Sequence, residues 1–136
     1  SLLRLSVPLL TRETLDRAEA YCIDFAVETD VGRWAALNWQ FHSCLYDDAN
    51  RPFMVGLIRS VNDRLERYLR VQLALSQGHE TADREHREIL AACRAGQADR
   101  AADLLYRHIM QACASLLHHL PISPGAARTE AAKPAP

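Results

Sequence analysis

Glycine is scarce in this chain, with five in 136 residues, and the residue types that favour strands are scattered rather than clustered. Apolar positions recur every third or fourth residue instead, which predicts an all-α fold. Long apolar runs are also lacking. None approaches the ~18–20 residues of a membrane span, and no amino-terminal stretch has the form of a signal peptide. Excess charge of either sign is missing too. Sixteen basic residues stand against 17 acidic ones, a net of -1, which excludes the basic footprint of a nucleic-acid binder within these residues. The four cysteines (Cys22, Cys44, Cys93 and Cys113) form no C-x-x-C pair, and each lies among apolar neighbours. They read as small buried hydrophobes in a reducing compartment. A cytoplasmic protein that does not enter a membrane is expected, with a length that suits one domain and a sizeable core.

Catalytic signatures are missing as well. There is no H-E-x-x-H, no glycine-rich phosphate loop and no G-x-S-x-G elbow. A di-iron bundle needs paired E-x-x-H helices, whereas the nearest string, Asp83-Arg84-Glu85-His86, is D-x-x-H and occurs once. No internal repeat is present.

What the chain does contain is a series of helical segments. Ser1–Val7 reads as the end of a helix closed by Pro8. Thr11 is placed to cap a helix reaching about Glu28, and Asp30 to cap another reaching Asp47 or Asp48. Asn50 is the expected cap of a long helix over about 51–75, with Pro52 in its first turn. Residues 76–79 read as a loop before a helix over 80–95, and Gly96 suits the left-handed position that ends it. The last helix covers about 97–119. From residue 121 to 136 the composition turns to Pro, Ala, Gly and charge, which predicts a disordered tail behind a single domain at 1–120.

Four residues on three of these helices stand out. Asn38 and His42 are four apart and share one helical face, while His86 and His108 each lie on or beside the apolar side of a separate helix. Three imidazoles and an amide oxygen converging inside a bundle form a pocket for a divalent metal such as Zn or Ni, with positions left open for an anionic ligand. The plainer reading is that the histidines simply pack between helices. His79, His118 and His119 fall in a loop or at a helix end and read as solvated.

Around these positions the sequence resembles a known family. Leu37-Asn38-Trp39-Gln40-Phe41-His42, then Leu45-Tyr46 and Ala49-Asn50-Arg51-Pro52-Phe53, is similar to the signature of the FCD effector domain. So is Glu85-His86-Arg87-Glu88-Ile89-Leu90-Ala91-Ala92, followed by Gly96 and an Ala-rich stretch to His108-Ile109, with 22 residues from His86 to His108. Such domains are the ligand-sensing halves of FadR-subfamily GntR transcription regulators. The resemblance covers roughly residues 10–120.

The resemblance implies an antiparallel helical bundle with a central cavity holding a divalent metal on an Asp and three His. It also implies a small carboxylate effector, a homodimer, and operator DNA bound through an N-terminal winged helix-turn-helix that these residues do not include. The chain would then be the C-terminal portion of a regulator, begun partway along the domain's first helix. His42, His86 and His108 match the three histidine ligands. Asn38 stands where the family usually has Asp, which leaves the site one charge more positive.

For the effector, helical geometry at ~100° per residue centres the inner face of helix 51–75 on Val61, Leu65 and Tyr68. Gln72 lies near that centre and Arg64 about 70° to one side, while Gln111 and Ser115 follow His108 on the last helix. Arg64, Gln72 and Ser115 are the expected effector contacts, Arg64 foremost because a guanidinium pairs with a carboxylate in bidentate fashion. The expected protein is a sensor and not an enzyme. The alternatives are a metal-dependent bundle enzyme and a metal-free dimerisation module.

Overall fold

A computed structural model describes residues 1–75 and 77–119; the tail expected from residue 121 lies outside them. Among the described residues the chain is all helix. Six α-helices are present: α1 (Leu2–Ser6), α2 (Arg12–Val27), α3 (Val31–Cys44), α4 (Pro52–Ala74), α5 (Gly78–Arg94) and α6 (Ala98–His119), with short 3₁₀ turns at Val7–Leu9 and Asp47–Ala49.

Local chemistry accounts for most of the boundaries. Thr11 Oγ1 accepts from the Thr14 amide at 3.1 Å and starts α2. Asp30 Oδ1 accepts from the Gly32 amide at 2.9 Å and starts α3. Gly96 takes a φ of 68° after α5. The Gln97 amide then reaches Ala92 O at 3.0 Å and the Gly96 amide reaches Cys93 O at 3.1 Å, closing the helix end as a Schellman motif.

Three boundaries differ from expectation, one of them the start of α5 at Gly78, inside the stretch read as a loop. Helix α3 stops at Cys44, and Asp47–Ala49 forms its own 3₁₀ turn. Asn50 does not cap α4. It adopts the left-handed conformation (φ 50°) that ends this turn, and Arg51 occupies the N-cap position without a side-chain bond. Asparagine tolerates that conformation better than other non-glycine residues, so the same residue type suits either role.

The core lies between α2, α3, α5 and α6. Phe25, Phe41, Leu3 and Ile89 are fully enclosed, and each is worth about 1.5–3 kcal/mol of burial. One cluster joins α1, α2, α3, α5 and α6 through Leu3, Ala18, Phe41, Ile89 and Ala101. A smaller one gathers Phe25, Leu37, Leu73 and Ala82 where α4 meets α5. Cys22, Cys44 and Cys93 are buried, but Cys113 is exposed.

Helix α4 corrects the face expected for it. Val61, Leu65 and Tyr68 are 57%, 42% and 37% exposed, while Gln72 and Leu73 are buried and Val55, Ile58 and Leu69 pack against the core. Apolar residues wrap more than half of this helix, so periodicity alone does not say which part of that arc faces inward. Neighbouring helices α3, α5 and α6 select the Ile58–Leu69 side.

The α4–α5 junction is tight. A Cβ on Gly78 would stand 2.5 Å from Gln72 O and 3.1 Å from Leu73 O, and backbone atoms cannot swing aside. Gly78→Ala is therefore expected to destabilise the fold by about 1–3 kcal/mol, read as a fall of several degrees in thermal midpoint. An unchanged midpoint would show that the junction can open without cost.

Candidate functional site

Helix α3 places Asn38 and His42 one turn apart on its buried side, and α5 and α6 bring His86 and His108 to the same point. All four residues are buried. His86 Nε2 lies 2.8 Å from Asn38 Oδ1, His42 Nε2 lies 3.1 Å from the same oxygen, and His42 Nε2 lies 3.2 Å from His108 Nε2. The three ring centroids form a nearly equilateral triangle with sides of 5.1, 5.0 and 5.0 Å. The four residues picked out in the sequence thus meet at one centre.

The atoms that converge are ones that donate lone pairs. The Nδ1 atoms of His42 and His86 have no partner among the described residues, so the polar contacts of both rings run through Nε2 toward the centre. Protons on the Nε2 atoms of His42 and His86 can satisfy these approaches as hydrogen bonds. A cation can do so as well: bonds of about 2.1 Å place adjacent ligands about 3.0 Å apart in octahedral and about 3.4 Å apart in tetrahedral geometry. The separations of 2.8, 3.1 and 3.2 Å are of that size. His42, His86 and His108 present one nitrogen each within 4.8 Å of one another.

The surroundings keep two of these rings, His42 and His86, neutral. Burial holds His42 well below the usual imidazole range, helped by the nearby His108. Burial does the same to His86, reinforced by His42, His108 and His79. A neutral imidazole keeps its lone pair free for a ligand. His86 sits between two phenyl rings, Phe25 at 4.8 Å and Phe41 at 4.6 Å between centroids.

His79, read from sequence as a solvated loop residue, lies in the first turn of α5. It is stacked between Phe25 at 4.5 Å and Trp34 at 4.2 Å, and its Nε2 donates to Phe25 O at 2.7 Å. It closes the wall behind His86.

Glu85 is the residue that sequence reasoning passed over. Next to His86 in sequence but not among the residues singled out there, it contacts His108 Nδ1 through its carboxylate. Nδ1–H donating to Glu85 leaves the Nε2 lone pair of His108 aimed at the centre, the arrangement that orients and strengthens a metal-binding histidine. The signal in the sequence was only an acid beside His86. Which helix lies over it depends on how α5 and α6 pack.

A cavity of about 200 Å³ opens beside this centre. Asn38, His108, Gln72, Glu85, Gln111 and Ser115 are among the residues lining it, so two of the three expected effector contacts, Gln72 and Ser115, are at its wall. Arg64 is not. It is exposed on α4 and lines no cavity at the site, because the inward face of that helix is turned away from it. Two other arginines, Arg84 and Arg107, line an adjoining hollow of about 190 Å³ that shares Glu85, His108 and Gln111 with the first.

The depressed imidazoles carry a sign for stability. The unfolded chain takes up protons on His42 and His86 below about pH 6.5, while the folded chain holds them neutral until lower pH. Their stability contribution is complete above about 6.5 and is lost as pH falls. Urea midpoints of the metal-free chain are expected to drop between pH 7 and pH 5. A His42→Gln/His86→Gln variant is expected to lose much of that slope; an identical slope would show that the rings titrate normally.

Comparison with known proteins agrees with the all-helical fold. Residues 1–111 match the FCD domain family. No curated protein matches the chain. Among solved structures, the chain is similar to a transcriptional regulator (GntR family member) from Pseudomonas syringae pv. tomato str. DC3000. Identity is 28% and the TM-score is 0.73, over 86% of this chain and 49% of that one. The chain thus spans about half the length of that relative. With the match covering most of its residues, the protein belongs to the FCD domain family, the regulatory domain of GntR-type transcription regulators.

Proposed function

We propose that this domain senses a small organic acid at a divalent metal held by Asn38, His42, His86 and His108. In that reading the domain works as a homodimer and passes the signal to a winged helix-turn-helix that binds operator DNA. The observation that carries it is the convergence of Asn38 Oδ1 with the Nε2 atoms of three buried histidines, at separations of 2.8–3.2 Å. A bound divalent ion of the zinc or nickel kind would offer its open positions to an anion from the adjoining cavity.

The protein's own residues supply the rest. His42 and Asn38 are held at a constant separation by one helical turn. Glu85 orients His108. Gln72 and Ser115 offer hydrogen bonds to the part of an effector that extends from the centre. A volume of about 200 Å³ lies below the usual range for drug-sized ligands, which favours a small acid. A sensor is favoured over a catalyst because the carboxylate nearest the centre, Glu85, is already engaged with His108 and is not placed as a free base.

Neutral Asn38 leaves the centre without the charge of an aspartate, and an anionic effector can provide it. Metal and acid should therefore bind with mutual reinforcement. Metal analysis of protein purified without a histidine tag is expected to show close to one ion per chain, rising in the presence of the right acid. A His86→Ala/His108→Ala variant that keeps its metal would sink the assignment, and occupancy unmoved by every small carboxylic acid tried would remove the effector's part in it. Asn38→Asp is expected to tighten metal binding, and Glu85→Gln to weaken it, each by roughly ten- to a hundredfold. Titration calorimetry reads both, and equal affinities in all three proteins would contradict the roles given to these residues.

A further inference from the structure

Helix α4 carries more apolar surface than the bundle covers. Its core side is formed by Val55, Ile58, Leu69 and Leu73, yet Met54, Leu57, Val61, Leu65 and Tyr68 remain between 37% and 57% exposed. At 100° per residue these five fall within about 80° of arc. They form one straight stripe about 21 Å long. Phe53 and Val71, 78% and 47% exposed, border it. Among the described residues no other helix packs over this face; only the Arg67 guanidinium reaches onto it, 5.2 Å from the centroid of the Tyr68 ring.

The stripe also has a symmetry. Its steps along the chain are three, four, four and three residues, which read the same in both directions from Val61. Three- and four-residue steps make the seam along which two helices interlock, and a pattern that reads alike from both ends matches its own antiparallel copy. Laid that way about a two-fold axis, Val61 meets the partner's Val61, Leu57 meets the partner's Leu65, and Met54 meets the partner's Tyr68. Arg59, Asp63 and Arg70 lie about 120° or more round the helix from the stripe, so this pairing buries none of them, and Arg67 meets it only at the Tyr68 end. Arg64 stays at the rim.

Size points the same way. The exposed part of these seven side chains amounts to roughly 500 Å² of apolar surface, as large as the greatest patch on an ordinary monomer. With its polar margin it approaches the ~800 Å² that a standard interface takes from each partner. A second copy is favoured over an unrelated partner because a two-fold interface uses the same patch twice and so must be self-complementary.

We propose that this face of α4 is the protein's self-association surface, covered by α4 of a second copy lying antiparallel about an axis at Val61. The dimer of the proposed sensor thereby acquires a location. The same helix presents Leu69, Gln72 and Leu73 to the cavity, so one rigid element touches both the effector's space and the other subunit.

Two measurements test it. Light scattering on the 136-residue chain at micromolar concentration is expected to give the mass of two chains. Val61→Arg should give the mass of one, with helix content and metal content unchanged. Ile23→Arg, at an exposed position on α2, should keep the two-chain mass. In a Cys113→Ser background, Val61→Cys should cross-link to itself under mild oxidation. Leu65→Cys alone should not, but Leu65→Cys mixed with Leu57→Cys should. A one-chain mass for the unsubstituted protein, a two-chain mass for Val61→Arg, or self-cross-linking at Leu65→Cys in preference to Val61→Cys overturns the proposal. Because metal content is read separately, failure of this interface and failure of the metal-site reading are distinguishable.

Discussion

The structure of this domain depends on holding three imidazoles and an amide oxygen together in an apolar interior. Burying polar atoms costs free energy unless each finds a partner; here Asn38 Oδ1 and the three Nε2 atoms are partners to one another, while the Nδ1 atoms of His42 and His86 have none among the described residues. The short approaches among Asn38, His42, His86 and His108 hold only while α3, α5 and α6 keep their relative heights. The phenyl rings of Phe25 and Phe41 press on His86, and Phe41 and Ile89 belong to a cluster that ties the three helices together. The apolar core thus sets the geometry of the polar centre. That centre in turn penalises any slip of one helix past another.

Charge at the site is distributed unusually. Asn38 brings an oxygen without a negative charge, and the nearest carboxylate, on Glu85, lies against the outer nitrogen of His108. A charge in that position does not occupy a coordination site, yet it raises the donor strength of the ring it touches. Burial meanwhile keeps His42 and His86 free of competing protons. The cavity next to the centre is polar at Gln72, Gln111 and Ser115 and apolar at Leu69, Leu73 and Ala112. Such a lining suits a small molecule with one polar end at the histidines.

Much of this was legible in the residues. The four-residue step from Asn38 to His42 requires both to share a face, and the apolar neighbours of His86 and His108 turn those rings inward. The caps at Thr11 and Asp30 and the left-handed Gly96 are local events that depend on a few adjacent residues, and they stand where the sequence places them. Glu85 was not legible, because its role is defined by a ring 23 residues away on another helix. Arg64 was misplaced for a related reason. Its helix is apolar around so much of its circumference that the inward side cannot be found from periodicity.

The sequence by itself determined the helices, several of their caps and the residues able to donate to a metal, because each of these depends on neighbours within a turn or two of chain. Only the tertiary structure decided which face of α4 looks inward, that Glu85 lies against His108, and that Gln72 and Ser115 but not Arg64 line the cavity. Those outcomes depend on the rotation of one helix against another. That rotation is set by the summed packing of side chains distant in sequence, and no single segment encodes it.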